Sequence, residues 1–314
     1  MRGRGRKAKG KPLHGWLAIH KEAGLTSTRV VELVRKITQA AKAGHGGTLD
    51  PFSEGLLPIG LGDATKTIAM VLEGDKAYRC WVHFGKETDS GDLTGKVTRE
   101  TGEVPIQSDL EEALTHFQGT ITQIPPHFSA IRVDGVRAYK LARQGKSVEM
   151  APREVTLHEV TLENFTNGVA ELKVRCGKGT YMRALARDLG SHLGCGAHLE
   201  RLVRTDTLGF KLEDAVTLDG LREKVSQDLL QDVLFPVDRV LDDIPALRLQ
   251  SEAWQKVRQG QPVWVEAENL GSGRVRLLTP EGRFGAIGDL GRDADILGRR
   301  NCRPKKLFLA AAGQ

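Results

Sequence analysis

The 314-residue chain has few aromatic residues and few cysteines, and it has no long hydrophobic segment. Phe, Trp and Tyr make up 5% of the sequence, and its four cysteines include no Cys-x-x-Cys pair, which is not the pattern of a disulfide scaffold. No run approaches the roughly 18 apolar residues of a transmembrane helix. The N-terminus lacks the apolar segment of a secretory signal, so the sequence predicts a cytoplasmic protein.

Acidic residues are absent from the first twelve positions, which carry six of the 46 Lys and Arg residues. The other 40 basic residues balance the 40 acidic residues, so this segment accounts for the net charge of +6. Clustered Lys and Arg attract polyanions, and interspersed glycines favour a flexible chain. We predict a disordered basic tail over residues 1–12, and both RNA contact and a purely solubilising role remain open.

The hydrophobic periodicity predicts strands mixed with single helices, which is typical of an α+β fold. Alternating patterns predict strands over residues 78–84, 155–165 and 169–176. Helices are predicted to begin at three capping positions, Ser27, Ser108 and Thr180, and to end near Lys42, Gly119 and Leu193.

The composition changes near residue 246, after two prolines, Pro236 and Pro245. Beyond that point the sequence predicts one short helix from Ser251 to Gly260 and three glycine-separated strands, at 274–278, 284–287 and 305–309. A chain of this length is typical of a large domain plus a small one. We therefore predict a main domain over 13–245 and a small β-rich domain over 246–314.

A glycine-rich segment around Asp50 is the most informative part of the sequence. Glycines on both sides of Asp50 let the backbone approach a bulky ligand, and Pro51 restricts Asp50 to an extended conformation. The carboxylate therefore projects from a turn. These residues alone allow either a catalytic carboxylate or an Asx turn that only satisfies the local backbone.

The segment GHGGTLDPFSEGLLPIGLGDATK, residues 44–66, resembles the catalytic motif of the bacterial TruB family of tRNA pseudouridine synthases. Further blocks of that family follow in order, at 75–79, 124–126, 142–145, 178–183 and 194–198. The resemblance extends from about residue 15 to residue 210. It implies a mixed, largely antiparallel sheet with flanking helices, followed by a C-terminal domain similar to PUA RNA-binding domains.

The resemblance also implies the activity, which is isomerisation of uridine 55 in the T-loop of tRNA to pseudouridine. A base inside a folded loop must be flipped out before an enzyme reaches its glycosidic carbon. Family members of this kind use no metal or cofactor, bind the tRNA T-arm, and need no obligatory protein partner, so a monomer is expected.

Six residues match the family's site positions. Asp50 matches the catalytic carboxylate, as nucleophile or as base, and Arg183 matches its partner, for which we expect a bidentate pairing. The remaining matches are to the substrate pocket: Tyr78 to the residue that stacks on uracil, His45 to the flipped-base and phosphate site, and Tyr181 and Leu202 to the lining. Tyr78, Tyr181 and Leu202 would also suit a core, and Arg183 a helix surface.

A basic segment over residues 124–153 corresponds to the family's thumb-like insertion, which clamps the T-arm, although a solvated surface loop has the same composition. The first motif departs from the family, with His20 and Glu22 where Asp and Pro are usual. Two other functions stay open on these residues. One is a non-catalytic RNA-binding or tRNA-folding protein on the same scaffold, and the other is the guide-RNA-dependent relative of archaea and eukaryotes.

Overall fold

The computed structural model describes residues 10–129, 132–133, 136–137, 150–267 and 269–309. Its strands are β1 (Gly15–Lys21), β2 (Ala43–His45), β3 (Glu54–Leu61), β4 (Lys76–Phe84), β5 (Lys86–Thr88), β6 (Val97–Glu100), β7 (Gly119–Gln123), β8 (Arg132–Val133), β9 (Val136–Arg137), β10 (Arg153–Thr166), β11 (Val169–Cys176), β12 (Ala197–Thr207), β13 (Phe210–Lys211), β14 (Ala246–Arg248), β15 (Val263–Val265), β16 (Gly273–Leu278), β17 (Phe284–Ala294) and β18 (Arg300–Leu307). Its helices are α1 (Ser27–Thr38), α2 (Ile68–Glu73), α3 (Gln107–Thr115), α4 (Met182–His192), α5 (Leu218–Ser226) and α6 (Ser251–Arg258).

The main sheet has nine strands. Its central order is β1-β3-β12-β4-β11-β10-β7, with β2 paired to β3 and β13 paired to β12. Only the short pairing of β12 with β3 is parallel in this sheet as described. This mixed, largely antiparallel sheet with separate helices confirms the predicted α+β class.

One face of the main sheet is buried under helices. Along β4, Tyr78, Cys80, Val82 and Phe84 are buried while Arg79 is exposed, so the predicted alternation is confirmed. The helices contribute the other half of this core through residues such as Val30 and Val34 of α1 and Leu185 and Leu189 of α4. Each such side chain stabilises the fold by roughly 1.5–3 kcal/mol when fully buried.

The second sheet, in the order β14-β16-β17-β18-β15, lies entirely after residue 245. The predicted helix at Ser251 and all three predicted strands are present there, but β17 and β18 are longer than predicted. The two sheets share a hydrophobic core in which Phe284 and Phe308 pack with Trp16 and Leu56. No helix in the described part of the chain is both long and apolar enough to cross a membrane.

The predicted cap and end of α1 were wrong. Thr26 caps the helix, because its hydroxyl accepts a hydrogen bond from the Arg29 backbone N–H at 3.1 Å. The Ser27 hydroxyl instead bonds Leu49, accepting from its N–H at 2.8 Å and donating to its carbonyl at 3.0 Å. The helix ends at Thr38, where Gln39 adopts a left-handed conformation, and not near Lys42.

The other two predicted caps were also wrong. Neither α3 nor α4 has a side-chain cap, and the residues preceding them are Ile106 and Tyr181. Thr180 donates its hydroxyl hydrogen to the carbonyl of Gly177 at 3.0 Å, so it stabilises the preceding turn. Hydroxyl side chains close to a helix start have several local backbone partners, and the sequence does not choose among them.

The two RNA-contact segments predicted from the sequence fall mainly outside the described residues. Residues 1–9 of the basic tail are outside, whereas Lys11 exchanges backbone hydrogen bonds with Gln39 and Ala41 and is held in place. Within the 124–153 insertion, residues 130–131, 134–135 and 138–149 are outside. The strands β8 and β9 pair as a short antiparallel hairpin there.

Candidate active site

Asp50 lies in the loop that joins β2 to β3. Two buried cationic side chains donate hydrogen bonds to the backbone of this loop. Lys21 is fully buried and donates from Nζ to the carbonyls of Pro51, at 3.2 Å, and Ser53. Arg204 is also buried and donates to the carbonyls of Gly47, at 3.2 Å, and Leu56, at 2.8 Å. Because these acceptors are backbone groups, the loop conformation is fixed without using the Asp50 carboxylate.

The structure brings Asp50 and Arg183 into direct contact. Arg183 Nε donates to Asp50 Oδ2 at 2.9 Å, although the two residues are 133 positions apart in the chain. The other two nitrogens of Arg183 donate to the carbonyls of Ser90, at 2.9 Å, and Phe128, at 2.8 Å. The expected bidentate pairing is therefore wrong, since one N–H holds the carboxylate and the rest of the guanidinium is anchored on the backbone.

The two partners of this pair differ in how much of each side chain is exposed. The Arg183 side chain is 4% exposed, so it is not a helix-surface arginine, and the Asp50 side chain is 33% exposed. Among the described residues, none donates a hydrogen bond to the Oδ1 atom of Asp50. The carboxylate therefore has one oxygen held by Arg183 and a second, partly exposed one to which no described residue donates a hydrogen bond.

Asp92 is a member of this cluster that the sequence did not reveal. Its Oδ2 lies 3.7 Å from Arg183 Nε, and the side chain is buried. Thr94 fixes its other oxygen, donating from its backbone N–H at 3.0 Å and from its hydroxyl at 2.6 Å. In the sequence Asp92 sits in an ordinary Asp-Ser-Gly-Asp turn, and no local signal connects it with Asp50.

The surroundings of Asp50 perturb its protonation. Burial raises the pKa of the Asp50 carboxyl above its usual 3.8, and the Asp92 charge adds to this rise. The positive charges of Arg183 and Lys21 lower that pKa and so offset part of the effect. A carboxylate with a raised pKa is a better proton acceptor than an ordinary aspartate, which suits a catalytic group.

Tyr78 and Leu202 lie on adjacent strands and contribute to the same core. Tyr78 on β4 is 9% exposed, and burial raises the pKa of its phenol to about 12, so it is protonated at neutral pH. Leu202 on β12 is directly opposite Cys80, and therefore faces the same side of the sheet as Tyr78. Leu49, the residue before Asp50, belongs to the same core, and the negative charge of Asp50 adds to the rise in the Tyr78 pKa.

Tyr181 precedes α4, two residues before Arg183. Gln123 is buried and holds the Tyr181 backbone, accepting from its N–H at 3.1 Å and donating to its carbonyl at 3.4 Å. Burial raises the pKa of the Tyr181 phenol, while the positive charge of Arg153 lowers it. Its half-buried position suits a pocket wall.

His45 is the last residue of β2 and pairs with Ile59 of β3, so it lies on the strand that leads into the Asp50 loop. It is half-buried. In the described part of the chain, no group of three or more His, Cys, Asp or Glu side chains is arranged to hold a metal ion.

A comparison with solved structures identifies a protein of the same fold. The chain superimposes with a TM-score of 0.72 on a chain of the crystal structure of a Cbf5-Nop10-Gar1 complex, covering 94% of this chain and 85% of that one. The two are 24% identical, so this likeness concerns the fold alone. In this chain the shared fold consists of the mixed main sheet and a second, β-rich unit.

The family follows from sequence comparisons. Residues 35–182 match the model of the TruB family pseudouridylate synthase N-terminal domain, residues 183–242 match the tRNA pseudouridylate synthase B C-terminal domain, and residues 245–300 match the pseudouridine synthase II TruB C-terminal domain. The chain belongs to the TruB family. It is a pseudouridine synthase and therefore an isomerase, and not merely an RNA-binding scaffold.

Two relatives illustrate the extent of the similarity, and both are named tRNA pseudouridine synthase B. The protein from Methylobacillus flagellatus is 40% identical over 291 residues, covering 93% of this chain and 96% of its own length. The protein from Ruegeria sp. is 41% identical over 285 residues, covering 90% of this chain and 94% of its own. Both relatives are bacterial, and the similarity extends over nearly the whole of each.

Proposed function

We propose that this protein isomerises uridine 55 in the T-loop of tRNA to pseudouridine. The names of the relatives support tRNA as the substrate, and the motif at residues 44–66 supports the T-loop position. The observation that carries the proposal is the pair of Asp50 and Arg183, in which a half-buried carboxylate with one open oxygen is held by a buried guanidinium. Such an enzyme meets its substrate in the cytoplasm and acts without an obligatory protein partner.

The reaction moves the uracil from one attachment to another without net gain or loss of atoms. The bond between N1 of uracil and C1′ of ribose breaks, the base turns, and C5 forms a bond to C1′. The proton on C5 is then lost and N1 gains a proton. Asp50 acts beside C1′ either as a nucleophile toward that carbon or as a base toward the sugar. Arg183 orients the Asp50 carboxylate for this role.

The surrounding residues provide a place for the flipped base. Tyr78 carries a neutral phenol ring suited to stacking on uracil, and Leu202 and Tyr181 form apolar walls beside it. His45 stands at the entrance to the loop, where it would meet the ribose-phosphate of the target nucleotide. The insertion over residues 124–153 and the module after residue 246 would contact the rest of the tRNA.

The test is incubation of the protein with an unmodified tRNA transcript, followed by position-resolved mapping of pseudouridine. We expect modification at position 55 by the wild-type protein and none by Asp50→Asn, because an amide has the shape of the carboxylate but is neither a useful base nor a nucleophile. Binding of tRNA by Asp50→Asn should persist.

The matched control is Asp219→Asn, since Asp219 is 79% exposed on α5 and the change is chemically the same. It should leave the conversion unchanged. Conversion at another position only would refute the T-loop assignment. Appreciable conversion by Asp50→Asn would refute the role of Asp50.

A further inference from the structure

Arg204 is a buried arginine that lacks a carboxylate partner in the described structure. It is 1% exposed, and it donates to two backbone carbonyls, those of Leu56 at 2.8 Å and Gly47 at 3.2 Å. A buried charge with no counter-charge is unfavourable, and apolar residues of similar volume often stabilise a protein better. Stability alone therefore does not explain an arginine at this position.

The two backbone acceptors of Arg204 bracket the loop that carries Asp50. Gly47 lies three residues before Asp50, and Leu56 lies six residues after it. Since a guanidinium is planar and rigid, hydrogen bonds from two of its nitrogens fix the distance between these two carbonyls. Arg204 thereby fixes how far apart the two ends of the loop are, at Gly47 and Leu56.

The loop backbone passes close to Arg204 at two glycines, Gly47 and Gly55. A Cβ atom on Gly47 would lie 3.2 Å from Arg204 Nη1, and Gly47 has φ of 130°. A Cβ atom on Gly55, which has φ of 100°, would lie only 2.5 Å from the backbone carbonyl oxygen of residue 204. Both glycines have conformations that L-residues rarely adopt, and at Gly47 the neighbouring group is the Arg204 guanidinium itself.

Arg204 also contacts the strand that carries Tyr78. The two residues are direct cross-strand partners on β12 and β4. Burial raises the pKa of the Tyr78 phenol, and the positive charge of the Arg204 guanidinium opposes this rise. One rigid group therefore bonds the backbone of the Asp50 loop and belongs to the residue that pairs with Tyr78 on the adjacent strand.

We propose that Arg204 is a positioning residue that sets the Asp50 carboxylate relative to the Tyr78 ring. This inference rests on the proposed function, because it assigns to Arg204 the geometry on which the isomerisation depends. Arg204 is buried beneath the loop and does not itself contact the substrate. Its loss should therefore slow the chemical step and leave tRNA binding intact.

The test compares Arg204→Lys and Arg204→Met with Arg300→Lys as the matched control. Arg300 is also a buried arginine that donates to backbone carbonyls, those of Gly291, Ala267 and Leu270, but it lies on β18 in the second sheet. Because its side chain is buried, it is not part of the exposed surface of that module that would contact the tRNA. For each variant the single-turnover rate at saturating unmodified tRNA, the Kd for tRNA and the Tm are measured.

We expect Arg204→Lys to lower the single-turnover rate about 100-fold or more, since a displacement of about 1 Å has this effect on a positioned catalytic group. Its Kd should stay within about threefold of the wild-type value, as for any group that acts only on the chemical step. Arg300→Lys should lower Tm comparably while its rate stays within about threefold of wild type. Arg204→Met, which loses both donors, should be at least as slow as Arg204→Lys.

Folded Arg204 variants with near-normal rates would overturn the inference, as would an equal loss of rate in Arg300→Lys. If the Arg204 variants do not fold, Gly47→Ala replaces them, because it keeps Arg204 and places a methyl group against Nη1. A normal rate in Gly47→Ala would overturn the inference, and failure of this variant to fold would show that the contact serves stability and overturn it too. A wild-type protein that makes no pseudouridine would instead refute the proposed function itself.

Discussion

At the active site, Arg183 uses its donor groups on three different acceptors. One N–H holds Asp50, and the others hold the carbonyls of Ser90 and Phe128. The two backbone carbonyls therefore fix the position and orientation of the guanidinium independently of its hydrogen bond to the Asp50 carboxylate. A positively charged group of another shape would not be fixed in the same way.

The first prediction concerns Arg183→Lys. The lysine keeps the charge but cannot reach all three acceptors, so Asp50 is misaimed and the single-turnover rate at saturating tRNA should fall about 100-fold. Arg187→Lys is the control, since Arg187 is on the same helix α4 with its side chain 37% exposed. Circular dichroism checks folding, and near-normal conversion by Arg183→Lys would show that charge alone suffices.

The second prediction concerns the acid limb of the pH–rate profile. Burial raises the pKa of Asp50 above 3.8, so the rate should begin to fall on acidification at a pH above that value. Arg183→Met removes a charge that lowers this pKa, so the limb should move to still higher pH in the activity that remains. The measurement is single-turnover conversion against pH, with folding monitored at each pH. A limb centred at or below 3.8 would contradict the prediction.

At the scale of single elements, helix α1 is connected to the Asp50 loop by one hydroxyl. Thr26 caps the helix, while the neighbouring Ser27 bonds both backbone groups of Leu49, the residue before Asp50. The sequence Thr-Ser at this place indicates a helix start, but it does not show which hydroxyl is the cap. The spatial neighbour of Ser27, 22 residues away, decides this.

The third prediction follows from this division of roles. Thr26→Ala should cost about 1 kcal/mol of stability and leave the rate of conversion unchanged, because only the cap is lost. Ser27→Ala leaves a buried N–H and carbonyl of Leu49 without their partner, which costs about 1–3 kcal/mol, and it should also slow conversion. Denaturant unfolding and single-turnover assays of both variants check this. Equal effects of the two changes on the rate would rule it out.

At the scale of the whole molecule, the two sheets are joined by a common core. Phe308 contacts Phe284 with ring centroids 4.8 Å apart, and the Lys66 ammonium lies 5.2 Å from the Phe308 ring. Lys66 also donates to the carbonyl of Leu307 at 2.7 Å. Since Trp16 packs in the same core, removing the second sheet would expose apolar surface of the first. Point variants are therefore better probes of the second sheet than truncation.

The fourth prediction concerns the basic tail and RNA affinity. Residues 2–10 carry five Lys and Arg residues, and deleting them leaves the ordered Lys11 in place. If the tail binds phosphates, the slope of log Kd against log salt should weaken by about 0.7–0.9 for each phosphate that the shortened protein no longer neutralises. A tail of the same length made of Gly and Ser is the control, and catalysis at saturating tRNA should persist. An unchanged salt slope would leave the tail only a solubilising role.

The sequence by itself determined the local structure and the motif of this protein. The alternation of Tyr78, Cys80 and Val82 predicted a strand with one buried face, because side chains of a strand alternate with a period of two. The glycines and proline around Asp50 predicted an exposed turn, and the family resemblance supplied Arg183 as its partner. Helix starts were found only approximately, since a hydroxyl group near a helix start has several possible backbone partners, as Ser27 and Thr180 show.

The tertiary structure alone decided which groups surround Asp50. The fold brings Asp92 and the carbonyl of Phe128 to Arg183, the partner of Asp50, and it brings Arg204 to the Asp50 loop. Arg204 faces Tyr78 because β12 lies between β3 and β4 in the sheet, although these strands are far apart in the chain. Local periodicity carries no information about such neighbours, because long-range pairing depends on how the complete set of strands packs.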